Sequence, residues 1–295
     1  MNYILGPMRV PFLILTPMCL LVGIATASWS GAPLNPFHII LIVIGAVCAH
    51  ISVNAINEYY DFKSGLDFRT QKTPFSGGSG TLPSQPEKAN VALAIGLTSL
   101  AITTLIGLYL VYVKGIGLLP LGLFGIAIIY TYTKWITRRP ILCLLAPGLG
   151  FGPLMVMGTH FVLTGAYSWT AFIASLVPGF LVSNLLLLNQ FPDLEADKTV
   201  GRRHLPIVMG RQSVAKVYAA LLAASYMPLF VGYLSGKLPV QGFIALATVF
   251  ISVHTARGVL RNADDIPMLV PFLGKNVLIN LATPALLAIG LFIAH

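Results

Sequence analysis

Nine apolar runs, each about long enough to cross a bilayer, constrain this chain more than any other feature. A hydrocarbon core about 30 Å thick takes roughly 20 helical residues at about 1.5 Å rise each. Breaking the sequence at its charges leaves Val10–Trp29, Pro36–Ile56, Ala89–Val113, Gly115–Thr133, Ile141–Thr164, Ser168–Leu188, Ser213–Leu234, Pro239–Leu260 and Asn276–Ala294. Only Lys216 and Arg257 fall inside these limits, each near an end where a long cation reaches the interface. The first run is too long, and too poor in upstream positive charge, to read as a cleavable leader. Charged residues make up 9% of the chain, where soluble domains carry about a quarter. That excludes a water-soluble globule, a disordered chain and a nucleic-acid binder. The expectation is an all-α, polytopic membrane protein with nine transmembrane helices, forming a single domain over residues 1–295.

Loop charges orient the helices. Sixteen of the eighteen cations fall on one side of the nine crossings, and Lys114 and Lys237 fall on the other. Positive loops stay in the cytoplasm, so the N-terminus is expected inside and His295 outside. Cys19, Cys48 and Cys143 lie in apolar stretches without paired spacing and read as small buried hydrophobes.

The acidic residues are gathered rather than scattered. Six of nine lie in two clusters: Glu58, Asp61 and Asp67 after the second run, and Asp193, Glu195 and Asp197 after the sixth. Asn57-Glu-Tyr-Tyr-Asp61 and Asn189-Gln-Phe-Pro-Asp193 share an Asn, then an Asp four residues on, which places both side chains on one helical face. Asp197 continues the second series. Gly65 is expected to end the first motif helix, leaving Asp67 in the loop, and Pro192 to kink or restart the second. One such cluster would read as a solvated helix end; two matching ones, 132 residues apart in a chain so poor in charge, do not. Carboxylates gathered at membrane depth repel one another unless a cation sits between them. Oxygen ligands of Asp and Asn type suit Mg²⁺, which completes its shell from water and phosphate. Two Asp-rich walls are therefore expected to hold Mg²⁺ against a diphosphate, in motif loops at about 57–88 and 189–212.

Lys72, Lys134, Arg138, Arg139, Lys198, Arg202 and Arg203 surround these clusters on the same side. Arg forks match phosphate oxygens bidentately and Lys acts as a point charge. Lys134, Arg138, Lys198 and Arg202 are the strongest candidates for diphosphate contacts, with Lys72 a further one. Lys134 and Arg138, four apart, can share a face.

Asn57-Glu-Tyr-Tyr-Asp61-Phe-Lys-Ser-Gly65-Leu-Asp67 and Asn189-Gln-Phe-Pro-Asp193-Leu-Glu-Ala-Asp197-Lys-Thr-Val-Gly201-Arg-Arg resemble the two signature motifs of the UbiA superfamily of intramembrane prenyltransferases. The likeness is strongest to the branch that prenylates 1,4-dihydroxy-2-naphthoate in menaquinone synthesis. It implies a nine-helix bundle in a prokaryotic cell membrane, with a central cavity open sideways to lipid. It also implies a polyprenyl diphosphate held through Mg²⁺ and a small aromatic acceptor. Carried over position by position, the metal and diphosphate residues are Asn57, Asp61, Asp67, Asn189, Asp193 and Asp197, with the four aspartates as metal ligands; with the cations added, the expected substrate-binding residues are Asn57, Asn189, Lys72, Lys198 and Arg202. Asp61, Asp193, Lys134 and Arg138 are the expected catalytic residues. The chain departs from the family pattern at Glu58, Gln190, Pro192 and Pro206 and in Ser76-Gly-Gly-Ser-Gly80.

Weaker signals stay open. Tyr59, Tyr60, Tyr130 and Tyr132 read first as an interfacial belt and second as stabilisers of a carbocation. The glycines of Ser76–Gly80 suit a backbone approach to phosphate, or a lid without contact. Gly148, Gly150 and Gly152 indicate close helix packing. His50, two turns before Asn57, is a packing residue or an aid to deprotonating a phenolic acceptor. Asp264-Asp265 reads as an exposed loop pair. The alternatives in function are a terpene cyclase without an aromatic acceptor and a cation-coupled transporter. The transporter expects acidic residues at mid-helix and inverted repeats, whereas here the clusters sit at helix ends in the same orientation.

Overall fold

The computed structural model describes residues 2–294, and every regular element among them is helical. Eight helices are long and apolar enough to cross a membrane: α1 (Val10–Trp29), α2 (Pro36–Lys63), α3 (Pro86–Lys114), α5 (Pro140–Thr164), α6 (Trp169–Thr199), α7 (Arg211–Leu234), α8 (Val240–Asn262) and α9 (Ile266–Ile293). Between α3 and α5 runs a shorter apolar helix, α4 (Ile116–Thr131). The chain is an integral membrane protein. All nine apolar runs thus become helices, but several boundaries move. The helices α2 and α6 continue well past Ile56 and Leu188, and α9 begins ahead of Asn276. An apolar run ends at its first polar residue, whereas a hydrogen-bonded helix continues into the interface.

Local chemistry sets the helix starts. The Asn35 side chain accepts from His38 N–H at 3.2 Å ahead of Pro36, Ser168 from Ala171 N–H at 3.1 Å, and Asp265 from Met268 N–H at 3.1 Å. Asp265 is therefore the cap of α9, and Asp264 accepts from Gln212 at 2.9 Å. Pro192 does not interrupt α6, which stays helical from Trp169 to Thr199.

The centre of the bundle is α6, which touches α1, α5, α7 and α9 and has the most deeply buried apolar window. By contrast α3 packs mainly along α2 and turns most of its surface outward. Large apolar side chains such as Tyr112 and Phe250 (87% and 86% exposed) point outward from the bundle. Cys19 and Cys143 are buried as expected, while Cys48 is only half-buried.

Small residues bring α5 against α6. A Cβ on Gly152 would stand 2.6 Å from Gly179 Cα, too close for any carbon. Around this contact α5 widens into a π-helical stretch, Gly150–Met157, with Pro147 before it and Pro153 inside it. Neither proline can donate to the helix ladder, which favours the wider winding. We expect Gly152→Ala to lower stability by about 1–3 kcal/mol through overpacking. Gly150→Ala, whose Cβ meets nothing within 4 Å, should not destabilise. Thermal unfolding of the two variants in detergent checks this.

Candidate functional site

Both motifs lie on the ends of long helices rather than in free loops. Asn57 and Asp61 occupy the last turns of α2, and Asn189, Asp193 and Asp197 those of α6. After Lys63 the chain turns through Gly65, whose φ of 77° is the left-handed value glycine tolerates. A 3₁₀ turn over Leu66–Phe68 then carries Asp67 back toward the same mouth. Asn57, Asp61, Asp67, Asn189, Asp193 and Asp197 all line one cavity of about 440 Å³. Its interior is apolar, with Leu20, Ile42, Ile106, Leu110 and Leu154 among the walls.

One guanidinium joins the two acidic walls. Arg202 pairs with Asp61 from the first motif and, at 2.8 Å, with Asp197 from the second. The turn at Gly201, with φ 77°, brings Arg202 back so that its N–H meets the Asp197 carbonyl at 3.2 Å. His204 Nε2 holds the other Asp197 oxygen at 2.9 Å. Burial works against the charge on Arg202, but Asp61 and Asp197 outweigh it and hold its pKa above the ordinary value. Asp67 has no such partner. Burial, then the charges of Glu58 and Asp61, push its carboxyl up to about 7, with Arg9 and Arg202 only partly opposing.

Three buried carboxylate or amide oxygens of the two motifs accept no hydrogen bond: Asp67 Oδ2, Asn189 Oδ1 and Asp193 Oδ1. Unpaired buried acceptors are costly and call for a donor or a cation. Among the described residues no three His, Cys, Asp or Glu side chains converge into a closed cage. The unpartnered oxygens of Asp67, Asn189 and Asp193 are an all-oxygen donor set of the kind that suits Mg²⁺, which takes the rest of its shell from phosphate and water.

The expected cations divide. Arg202 lines the cavity, whereas Lys72, Lys134, Arg138 and Lys198 do not. Lys134 lies over the Tyr60 ring at 4.2 Å, and Lys198 pairs with the exposed Glu195 at 3.1 Å. Lys72 runs along Gly77 and Gly80, and Arg138 is exposed. Of the four tyrosines considered, Tyr132 alone lines the cavity. His50 lines it too, with Nδ1 2.9 Å from Thr16 Oγ1 and its ring edge-on to Phe151 at 4.8 Å.

Arg9 and His204 are site residues that sequence reasoning passed over, and Glu58 was counted in the first acidic cluster without a role. Arg9 was visible only as a topology signal, and His204 only as the residue after Arg203. Glu58, inside the first motif, is fully buried and serves no cavity: Arg9 Nη2 pairs with it at 3.1 Å. Ser79 donates to Glu58 from its N–H, at 3.1 Å, and from its hydroxyl. That contact draws the Ser76–Gly80 segment across the mouth, so that Ser76, Gly77 and Gly78 line it. A Cβ on Gly78, at φ 71°, would stand 3.0 Å from Asp67 Oδ1.

Known proteins match this architecture. A solved UbiA homolog from Aeropyrum pernix K1 superposes with a TM-score of 0.70 at 18% identity, over 97% of this chain and 98% of that one. A UbiA homolog from Archaeoglobus fulgidus bound to DMAPP and Mg²⁺ gives 0.61 at 15% identity, over 98% of this chain and 100% of that one. In sequence, the chain is 29% identical to the 1,4-dihydroxy-2-naphthoate octaprenyltransferase of Bacillus subtilis (strain 168), over 83% of this chain and 78% of that protein. It is 28% identical to the enzyme of the same name from Escherichia coli (strain K12), over 94% and 90%. Residues 16–275 match the model of the UbiA prenyltransferase family, and the chain is a member of that family.

Proposed function

We propose that this prenyltransferase moves a polyprenyl group from its diphosphate to an aromatic acceptor of the 1,4-dihydroxy-2-naphthoate class, releasing diphosphate. One observation supports this most: two acidic walls with unpartnered oxygens share the mouth of a greasy cavity. The names of the bacterial relatives support the acceptor class, and the Mg²⁺ in a structural neighbour supports the ion. The excess of cations on the motif side supports a mouth facing the cytoplasm, with the N-terminus inside and the C-terminus outside.

Asp61, Asp67, Asn189, Asp193 and Asp197, with Asn57 beside them, would hold Mg²⁺ at the mouth. The ion would neutralise charge on the leaving diphosphate. Arg202 adds a fork that can turn from Asp61 and Asp197 to phosphate oxygens. The allylic C1–O bond breaks and its electron pair leaves with the diphosphate. A ring carbon of the acceptor then bonds to C1 and releases its proton. Apolar walls keep water from the carbocation meanwhile, and the aromatic rings of Tyr132 and Phe151 are among the lining that can stabilise it.

The test is to give purified protein geranylgeranyl diphosphate, Mg²⁺ and 1,4-dihydroxy-2-naphthoate, then measure diphosphate and prenylated ring. Both should appear together and vanish with EDTA; diphosphate with only hydrocarbon product would point to a cyclase instead. We expect Asp61→Ala and Asp193→Ala each to lower kcat/KM by about a hundredfold or more with folding retained. Among the cations, Arg202→Gln should lose about a hundredfold. Lys134→Gln and Lys198→Gln should stay within about threefold, as exposed charges commonly do. Steady-state kinetics on the five variants decides both points.

A further inference from the structure

Lys275 stands where the apolar runs do not put it. Because α9 begins at Ile266 rather than at Asn276, this lysine lies nine residues into a membrane-spanning helix. At about 1.5 Å per residue, that is about 13 Å from the helix end on the motif side. His254 lies eight residues before the motif-side end of α8, at a matching depth of about 12 Å. The two side chains meet, with Lys275 Nζ donating to His254 Nε2 at 2.7 Å.

Two arginines continue the same edge. At about 100° of rotation per residue, His254, Arg257 and Arg261 fall within an arc of about 60° on α8, and all three are exposed. That arc borders the contact with α9, where the Phe272 ring packs on Gly258 and leaves no room for a Cβ there. Lys275 follows Phe272 by three residues and keeps Nζ over its ring, 5.1 Å from the centroid. Two helices thus present three cations and an imidazole along one outward seam. Deeper along the same helices the exposed side chains are apolar: Phe250 and Val253 on α8, and Leu278 on α9.

No acid answers these cations. Among the described residues, Arg257, Arg261 and Lys275 form no ion pair. The acidic residues between the two helices are engaged elsewhere, Asp264 with Gln212 and Asp265 with the Met268 N–H. None of the four seam residues lines the main cavity. A cation inside a span is costly unless it reaches water or an anion. Reaching along the helix to water accounts for Arg261, in the last turn of α8. It does not account for Lys275, whose ammonium is held sideways against His254 and Phe272.

We infer that this seam binds an anionic phospholipid of the leaflet on the motif side. Arg257 and Lys275 take the headgroup phosphodiester, and the acyl chains lie along Phe250, Val253 and Leu278. An arginine fork matches phosphate oxygens while a lysine adds a point charge. Basic pockets between membrane helices select such headgroups over zwitterionic ones. This site is separate from the acidic mouth and does not depend on the prenyl-transfer reading.

The full chain is purified in neutral detergent and offered phosphatidylglycerol or phosphatidylcholine with the same acyl chains, and native mass spectrometry counts the bound lipid. The wild type should retain the anionic lipid over the zwitterionic one by about tenfold or more. Arg257→Gln combined with Lys275→Gln should bring that ratio to within about twofold. Arg257→Gln alone, at an exposed position, should remove part of it with the fold intact. Lys63→Gln combined with Lys88→Gln takes away the same charge on the same side and should leave the ratio unchanged. Excess inorganic phosphate should not displace the lipid. Equal retention of both lipids by the wild type, or an undiminished ratio in either Arg257 variant, would overturn the assignment. So would an equal loss in the Lys63 and Lys88 pair, or displacement by phosphate, which would make a soluble anion the occupant.

Discussion

The ion pair network of Arg202 is the interaction on which the rest of the mouth depends. Two helix ends, one from each half of the chain, bring carboxylates into the same buried space, and like charges at that depth cannot be left facing each other. Arg202 resolves the conflict by taking Asp61 on one side and Asp197 on the other. His204 then fixes the remaining Asp197 oxygen. Other oxygens at the mouth, on Asp67, Asn189 and Asp193, stay without partners. The bundle can carry these because α6, its most buried helix, is anchored on four neighbours.

A second charge pair works on a different principle. Arg9 and Glu58 do not join the two motifs; they join the N-terminal segment to α2 and, through Ser79, to the glycine-rich segment. The acidic residue that departs from the family pattern thus has a structural use. It leaves the cavity to the aspartates and organises the wall beside them.

Much of this was legible in the sequence. The existence of all nine helices follows from the apolar runs, because hydrocarbon thickness sets the length of those runs, while the helix ends do not. The convergence of Asn57, Asp61, Asp67, Asn189, Asp193 and Asp197 follows from repeated spacing in a chain with few charges. The roles of the cations were not legible. Lys134 and Lys198 have the right position along the chain, but a side chain at a helix end can point to solvent, to a ring or to a neighbouring carboxylate. Sequence distance does not choose among these. Arg9 was hidden for the opposite reason: a lone cation before the first helix looks like topology, and only a left-handed backbone and a partner 49 residues away reveal its direction. Pro192 shows a further limit, since a helix held on many sides tolerates a proline that an isolated one would not.

The pairing of Asp61 with Arg202 spans 141 residues. During synthesis Asp61 therefore enters the membrane interface four helices before its counter-ion exists. At mid-helix such an orphan would be driven back out of the lipid. At the end of α2 it can stay hydrated until α6 has been inserted and the turn at Gly201 has been made. Placing the acidic residues at the margin of the bilayer thus serves assembly as well as chemistry.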